Sequence, residues 1–216
     1  MFSRRSFLLY VLGAHVLLKM ETAWANVQQT IIPKGARLED LVNKNPAELD
    51  TSDLDITPIE NFGVMGLEDY EASLEKWRLI VDGNVAEPLT LSYLEVMSLS
   101  PLEKTVLLIC PGVFAYNGLW KGVSIKELLS KARLKSDNGY VTIRGPEGNY
   151  EKVEKFSLPE VLKDQVFLAY EVNGVVLPKK HGFPLRVVAQ NHYGSEWVKY
   201  VYRVTVHQET PPESRS

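Results

Sequence analysis

The sequence predicts an α+β domain whose core is a mixed sheet or barrel with short helices between the strands. Three observations carry that prediction. Between Trp77 and His207 most apolar runs have strand length and end at Gly, Pro or Asn. Three Ser-x-x-Glu pairs, Ser92/Glu95, Ser124/Glu127 and Ser157/Glu160, open short helical patterns among them. Long strand-helix-strand crossovers are missing, which argues against a doubly wound fold. A chain of 216 residues, 45% of them hydrophobic, can enclose one real core but not two large domains.

In order, "WRLIVDG" (77–83) reads as a strand closed by an Asp-Gly turn signal, and "LSYLEVMSL" as a capped helix. "KTVLLIC" is a buried strand ending at Cys110. "PGVFAYNGLWKG" reads as a loop, from its glycines, proline and asparagine, before the helix "VSIKELLSKA". "GYVTIRG" and "YEKVEKF" are strands around the turn "GPEGN". "SLPEVLKD" is a helix with Pro159 in its first turn, and "VFLAYEVNGVVLP" a hairpin around Asn173-Gly174. "PLRVVAQ" and "WVKYVYRVTVH" complete the strands. Four regions follow: a leader at 1–25, an irregular segment at 26–70 that crosses the surface or folds over a site, the domain at 71–208, and a polar tail at 209–216.

The formal net charge of −3 and a sequence pI near 5.9 give no basic face, so no nucleic-acid partner is expected. Arg4-Arg5, an apolar stretch from Phe7 to Leu18 and Ala23-Trp24-Ala25 have the layout of a signal peptide. The apolar stretch is well short of the roughly 20 residues that span a bilayer. Ser3-Arg4-Arg5-Ser6-Phe7-Leu8 matches the twin-arginine pattern, which exports folded proteins, so passage through that machinery to the periplasm is expected. An ordinary secretory leader or an uncleaved anchor are the alternatives. Cleavage after Ala25 removes three cations and one acid and leaves the net charge near −5.

Cys110 is the only cysteine, so no internal disulfide exists. It is either a small apolar filler or a ligand or nucleophile, and its place at a strand end beside a Pro-Gly turn suits function. "KKHGFPLR" gathers Lys179, Lys180, His181 and Arg186, either as a solvated turn or as an anion site. "NHYGSEWVK" forms a second loop with His192 and Lys199, either a hairpin connection or the opposite wall of one pocket. A thiol dyad of Cys110 with His181 or His192 is a third option.

These segments together resemble the molybdopterin-binding oxidoreductase domain of the sulfite oxidase family, from about Asn61 to Val206. "WRLIVDGNVAEPLTLSYLEVMSL", "LLICPGVFAYNGLWKGVSIKELL", "LAYEVNGVVLPKKHGFPLRVV" and "YGSEWVKYVYRV" follow one another in the family's order. Bacterial twin-arginine-exported members that reduce protein methionine sulfoxides look most similar. The resemblance implies a sulfite-oxidase-type domain with a molybdenum-molybdopterin cofactor, one dithiolene per metal, and Cys110 as protein ligand. It implies that Arg186 and His181 bind the pterin phosphate and that Trp197, Val198 and Lys199 contact the cofactor. It also places Asn61 and Phe62 in a loop over the pterin, and Arg144 and Gly145 at a strand end beside it. A threonine stands in the family where this chain has Gly145, so a side-chain contact is lost there. Tyr116 is expected to orient substrate or to pack.

Sulfite oxidases carry an arginine-bearing segment after their cysteine, whereas Pro111 to Tyr116 is uncharged here. A neutral substrate such as a sulfoxide suits that wall better than an oxyanion, because buried anions need paired donors. The reaction expected is two-electron oxygen-atom transfer. With no haem motif, electrons would pass through a membrane haem subunit or a small periplasmic carrier.

Overall fold

The computed structural model describes residues 29–66 and 68–208, so the leader at 1–25 and the tail at 209–216 lie outside the described residues. Two five-stranded sheets make the core. One is ordered β10-β9-β6-β5, with β11 also paired to β9: β5 is Pro101–Cys110, β6 Phe114–Ser124, β9 Val166–Val172, β10 Val175–Val176 and β11 Arg186–Ala189. The other runs β4-β3-β12-β7-β8, with β3 at Leu79–Gly83, β4 at Leu89–Leu91, β7 at Tyr140–Arg144, β8 at Val153–Ser157 and β12 at Arg203–His207. Only β12 and β3 run parallel within these sheets; every other pairing is antiparallel. The first sheet curls toward a half-barrel, and α1 (Tyr93–Met97), α2 (Ile125–Lys131) and α3 (Leu158–Leu162) are short, as the α+β prediction requires.

Local chemistry fixes the helix starts. Ser92 accepts a hydrogen bond from the Glu95 amide, and the Glu95 carboxylate accepts from the Ser92 amide at 2.7 Å. Ser157 and Glu160 repeat the arrangement on α3. At α2 only half of it forms: Ser124 accepts from the Glu127 amide, but its hydroxyl donates to Asp164 at 2.5 Å. Each cap satisfies amides that the first helical turn leaves without partners.

The stretch expected to be a loop after Cys110 is a strand. Only Pro111–Val113 turns; β6 then pairs with β5 over its whole length, from Cys110↔Phe114 to Pro101↔Val123. It lies between β5 and β9, and residues on both of its faces are buried, so the period-two alternation of a half-exposed strand is missing. Tertiary pairing thus overrides the loop signal of Asn117, Gly118 and Gly122. The last strand is shorter than expected. Trp197–Tyr202 is irregular and β12 starts at Arg203, because Tyr200 adopts φ +57° and the amides of Tyr200, Val201 and Tyr202 bond to Gly182, Leu185 and Arg144 instead.

Residues 30–62 wrap the outside of β5 and β6. β1 (Thr30–Ile31) and β2 (Leu49–Asp50) form a short parallel pair, and Ile32, Leu41, Leu49 and Leu54 bury against Leu107, Ile109 and Ala115. Asn117, fully buried, donates to the Leu54 carbonyl at 2.9 Å, while the Thr57 amide donates to the Asn117 carbonyl at 2.8 Å. A lost hydrogen bond in such a place costs about 1–3 kcal/mol. This clamp delivers Phe62 onto the Tyr116 ring, stacked at 3.9 Å, and brings residues 63–66 over the end of β5.

Candidate active site

A cavity of about 360 Å³ opens where the two sheets meet the wrapping segment. Cys110 lies in its wall, at the last position of β5, with the thiol nearly buried. The Val113 amide donates to the Cys110 carbonyl, and the Gly112 amide to the Val42 carbonyl, so the turn beyond the cysteine is tied down. Burial pushes the Cys110 thiol pKa up. Its sulfur touches the Met65 thioether at 3.3 Å. Leu108, Phe114 and Tyr116 line the cavity on the same side, and the Tyr116 hydroxyl is also held neutral by burial.

Cationic groups line the same cavity. Arg186 is 3% exposed and donates through Nη1 to the His181 carbonyl at 3.0 Å. Its guanidinium carbon lies 5.1 Å from the Trp120 ring and 5.4 Å from Trp197. Stacking of this kind suits the flat, weakly hydrated guanidinium. Among the described residues no carboxylate pairs with Arg186, and its Nε has no hydrogen-bond partner. His181, 1% exposed, likewise leaves Nε2 without a partner. Gly182, at φ +110°, lets the chain turn between them; a Cβ there would meet the Cβ atoms of Arg186 and Lys199 at 3.0 and 3.2 Å. Lys199 donates to the Met65 carbonyl at 2.9 Å. Burial and the nearby Arg186 lower its pKa to about 8.

Burial, with Arg186, Lys180 and Lys199 nearby, lowers the His181 pKa to about 3. The ring is therefore neutral at pH 7. Between its ordinary value of about 6.5 and 3, the unfolded chain binds a proton that the fold refuses, so stability falls as pH drops through that window. Above 6.5 the ring is neutral in both states and contributes no pH dependence. Replacing His181 with Gln should reduce the stability lost by cofactor-free protein between pH 7 and 4.5 by about 2 kcal/mol, measured by urea unfolding. Parallel acid limbs in both proteins would contradict this.

The structure brings Cys110, Tyr116, His181, Arg186, Trp197 and Lys199 to one cavity. Phe62 sits behind Tyr116 and edge-on to His181 at 5.7 Å. Asn61 is exposed and off the cavity, and Val198 is fully buried, with its carbonyl accepting from the Val187 amide. Arg144 stands one step outside, bonded at 2.7 Å to Glu151 of the rim. Gly145 backs the rim, and a Cβ there would approach the carbonyls of Tyr150 and Lys199 at 3.1 and 3.2 Å.

His192 is elsewhere: it bridges Glu196 at 2.9 Å and Glu160 at 3.0 Å. Burial opposes its charge, but the two carboxylates together raise its pKa. It forms no dyad with the thiol, nor does His181, whose Nε2 has no partner.

Met65, Gly66, Tyr150, Lys152, Ser195 and Tyr200 also line the cavity and carried no individual sequence signal. The reading of 26–70 as a segment folding over a site was the nearest cue to Met65. The turn "GPEGN" is the only local mark of the Tyr150–Lys152 rim.

Comparison with known proteins fits this geometry. The family described as "Oxidoreductase molybdopterin binding domain" matches residues 66–214. "Uncharacterized oxidoreductase YuiH" of Bacillus subtilis (strain 168) is 31% identical over 144 residues, which is 66% of this chain and 71% of that one. The crystal structure of the sulfane dehydrogenase SoxCD from Paracoccus pantotrophus superposes with a TM-score of 0.61 at 24% identity. That likeness covers 71% of this chain but 46% of the other, and it concerns the fold.

The cavity residues fit the group that such a family binds. A buried, unpaired guanidinium beside an orphaned imidazole nitrogen calls for an anion such as a phosphate, since an uncompensated buried charge is costly. Cys110 offers a soft ligand across the same space. Among the described residues no three His, Cys, Asp or Glu side chains are placed to hold a metal, so Cys110 would act as a single protein ligand.

Proposed function

Because this chain belongs to the molybdopterin-binding oxidoreductase family, and is thus an oxidoreductase that binds a molybdopterin cofactor, we propose that it reduces a sulfoxide-type substrate by oxygen-atom transfer. The observation that carries the proposal is that one cavity holds both a lone thiol among aromatic side chains and a buried cation with no carboxylate partner among the described residues. When bound, the cofactor supplies the two-electron chemistry; the protein holds it and shapes the approach.

In this reading Cys110 ligates the metal as thiolate; burial disfavours the thiolate of the free protein, and a bound cation would offset that. Arg186 and His181 hold the phosphate. Neutral His181 can donate one further hydrogen bond without adding a charge that Arg186 would repel. Lys199, at about 8, carries its proton in neutral solution and anchors the segment over the site through the Met65 carbonyl. Leu108, Phe114 and Tyr116 exclude water and favour a neutral, soft substrate over an oxyanion. Lys152 on the rim bonds the Ser195 carbonyl and pairs with Glu154 at 3.4 Å, so its charge is partly answered within the protein.

The sequence supports export by the twin-arginine route to the periplasm, and electron supply by a separate protein, a membrane haem subunit or a small carrier. Protein matured in a molybdenum-competent host tests the assignment. Molybdenum, pterin and dye-driven reduction of methionine sulfoxide are expected, with little sulfite oxidation. Rapid sulfite oxidation without sulfoxide reduction would reverse the substrate class. Mature protein without molybdenum would instead point to a non-catalytic exported domain.

A further inference from the structure

We propose that Met65 is an oxidation site whose sulfoxide is reduced by the centre it overhangs, so that the chain carries an internal substrate. The inference rests on the sulfoxide-reducing reading above.

These observations point the same way. The Met65 thioether is in contact with the Cys110 sulfur at 3.3 Å. The residue is nevertheless 52% exposed, so a dissolved oxidant reaches it. Its segment is held before Met65 and at its carbonyl. Gly63 packs flat on the Phe114 ring, where a Cβ would overlap it, and Lys199 holds the Met65 carbonyl. Beyond Met65, Gly66 sits at φ +76° with no atom within 4 Å of a Cβ, so the chain can shift there without a clash. The unbranched thioether is also the most adaptable apolar side chain, able to fill or leave the space beside Leu108, Phe114 and Tyr116.

The chemistry balances in both directions. A hydroperoxide transfers one oxygen to the Met65 sulfur, giving the sulfoxide and water or an alcohol. In return, the S–O bond breaks, two electrons from the external donor and two protons enter, the Met65 thioether is restored and water leaves. A sulfoxide at Met65 places a polar oxygen beside Cys110. Until it is reduced, it stands in the way of other substrates.

The test uses holoenzyme treated with hydrogen peroxide, then freed of peroxide and given dithionite-reduced viologen. Mass spectrometry follows the peptides of Met65 and of half-buried Met97. Met65 should oxidise several-fold faster than Met97. Its sulfoxide should then disappear at a rate independent of protein concentration, and persist in Cys110→Ala. Oxidation of Met65 no faster than Met97 would overturn the proposal. So would a Met65 sulfoxide that persists in holoenzyme still able to reduce free methionine sulfoxide, or one removed at a rate proportional to protein concentration. Holoenzyme that reduces neither would remove the underlying sulfoxide reading as well.

Discussion

Replacing Cys110 with alanine is expected to abolish turnover while leaving the fold standing. The expected loss is at least about a thousandfold in kcat/KM, which corresponds to roughly 4 kcal/mol of transition-state stabilisation. The reason is positional. Cys110 ends β5 within the cavity, and no other described side chain with a soft donor faces that space except Met65, which bears no charge to offer a cation. Stability should change little. The alanine loses one sulfur beside an open cavity rather than inside a closed core, and a residue this small costs about 1 kcal/mol. The backbone ties of the turn, Val113 to Cys110 and Gly112 to Val42, do not involve the sulfur. Metal analysis separates the two effects: the variant should refold normally and lack molybdenum. Iodoacetamide adds an independent readout, since the thiol should react in cofactor-free protein and be protected in holoenzyme. Stoichiometric molybdenum and full activity in the alanine variant would refute the ligand role.

The parts of this site that could be read from the sequence are those whose cause is local. A capping pair acts over three residues, so Ser92/Glu95 and Ser157/Glu160 announced their helices. Asn173-Gly174 announced its hairpin because both residues must take positive φ, and they do, at 52° and 77°. Cys110 stood out by being alone. What escaped the sequence depends on contacts made across the chain. β6 looked like a loop because a strand buried on both faces has no alternation to show, and because its pairing partners β5 and β9 decide its conformation. Met65 meets Cys110 across 45 positions and Lys199 across 134. Tyr150 and Lys152 reach the cavity only because β7 and β8 pair with each other and β7 with β12. Family resemblance grouped Arg186, His181 and Lys199, and all three line one cavity, but residue type alone left Arg186 and His181 a solvated-turn alternative and Lys199 a place in a hairpin connection. For Arg186 the deciding fact is burial with no paired carboxylate among the described residues, which belongs to the folded state.

That burial leads to the second large effect, in which one substitution acts with opposite signs on two measurements. Replacing Arg186 with methionine should stabilise cofactor-free protein by about 1–4 kcal/mol, because a buried charge with no carboxylate partner among the described residues gives way to a side chain that packs between Trp120 and Trp197. The same variant should lose cofactor retention by about a hundredfold or more, since removing one partner of a buried charge pair costs roughly 2–5 kcal/mol. A residue needed only for folding would move both measurements downward, and a residue of no consequence would move neither. Arg186→Lys separates charge from shape. It keeps the charge but not the flat two-pronged donor set, so it should retain cofactor between the wild type and the methionine variant. Bound cofactor stabilises the native state in proportion to the logarithm of its affinity. The thermal midpoints of wild type and Arg186→Met should therefore cross: the variant higher without cofactor, the wild type higher with it. Unchanged pterin retention in the methionine variant would remove the phosphate role from Arg186, whatever the midpoints show.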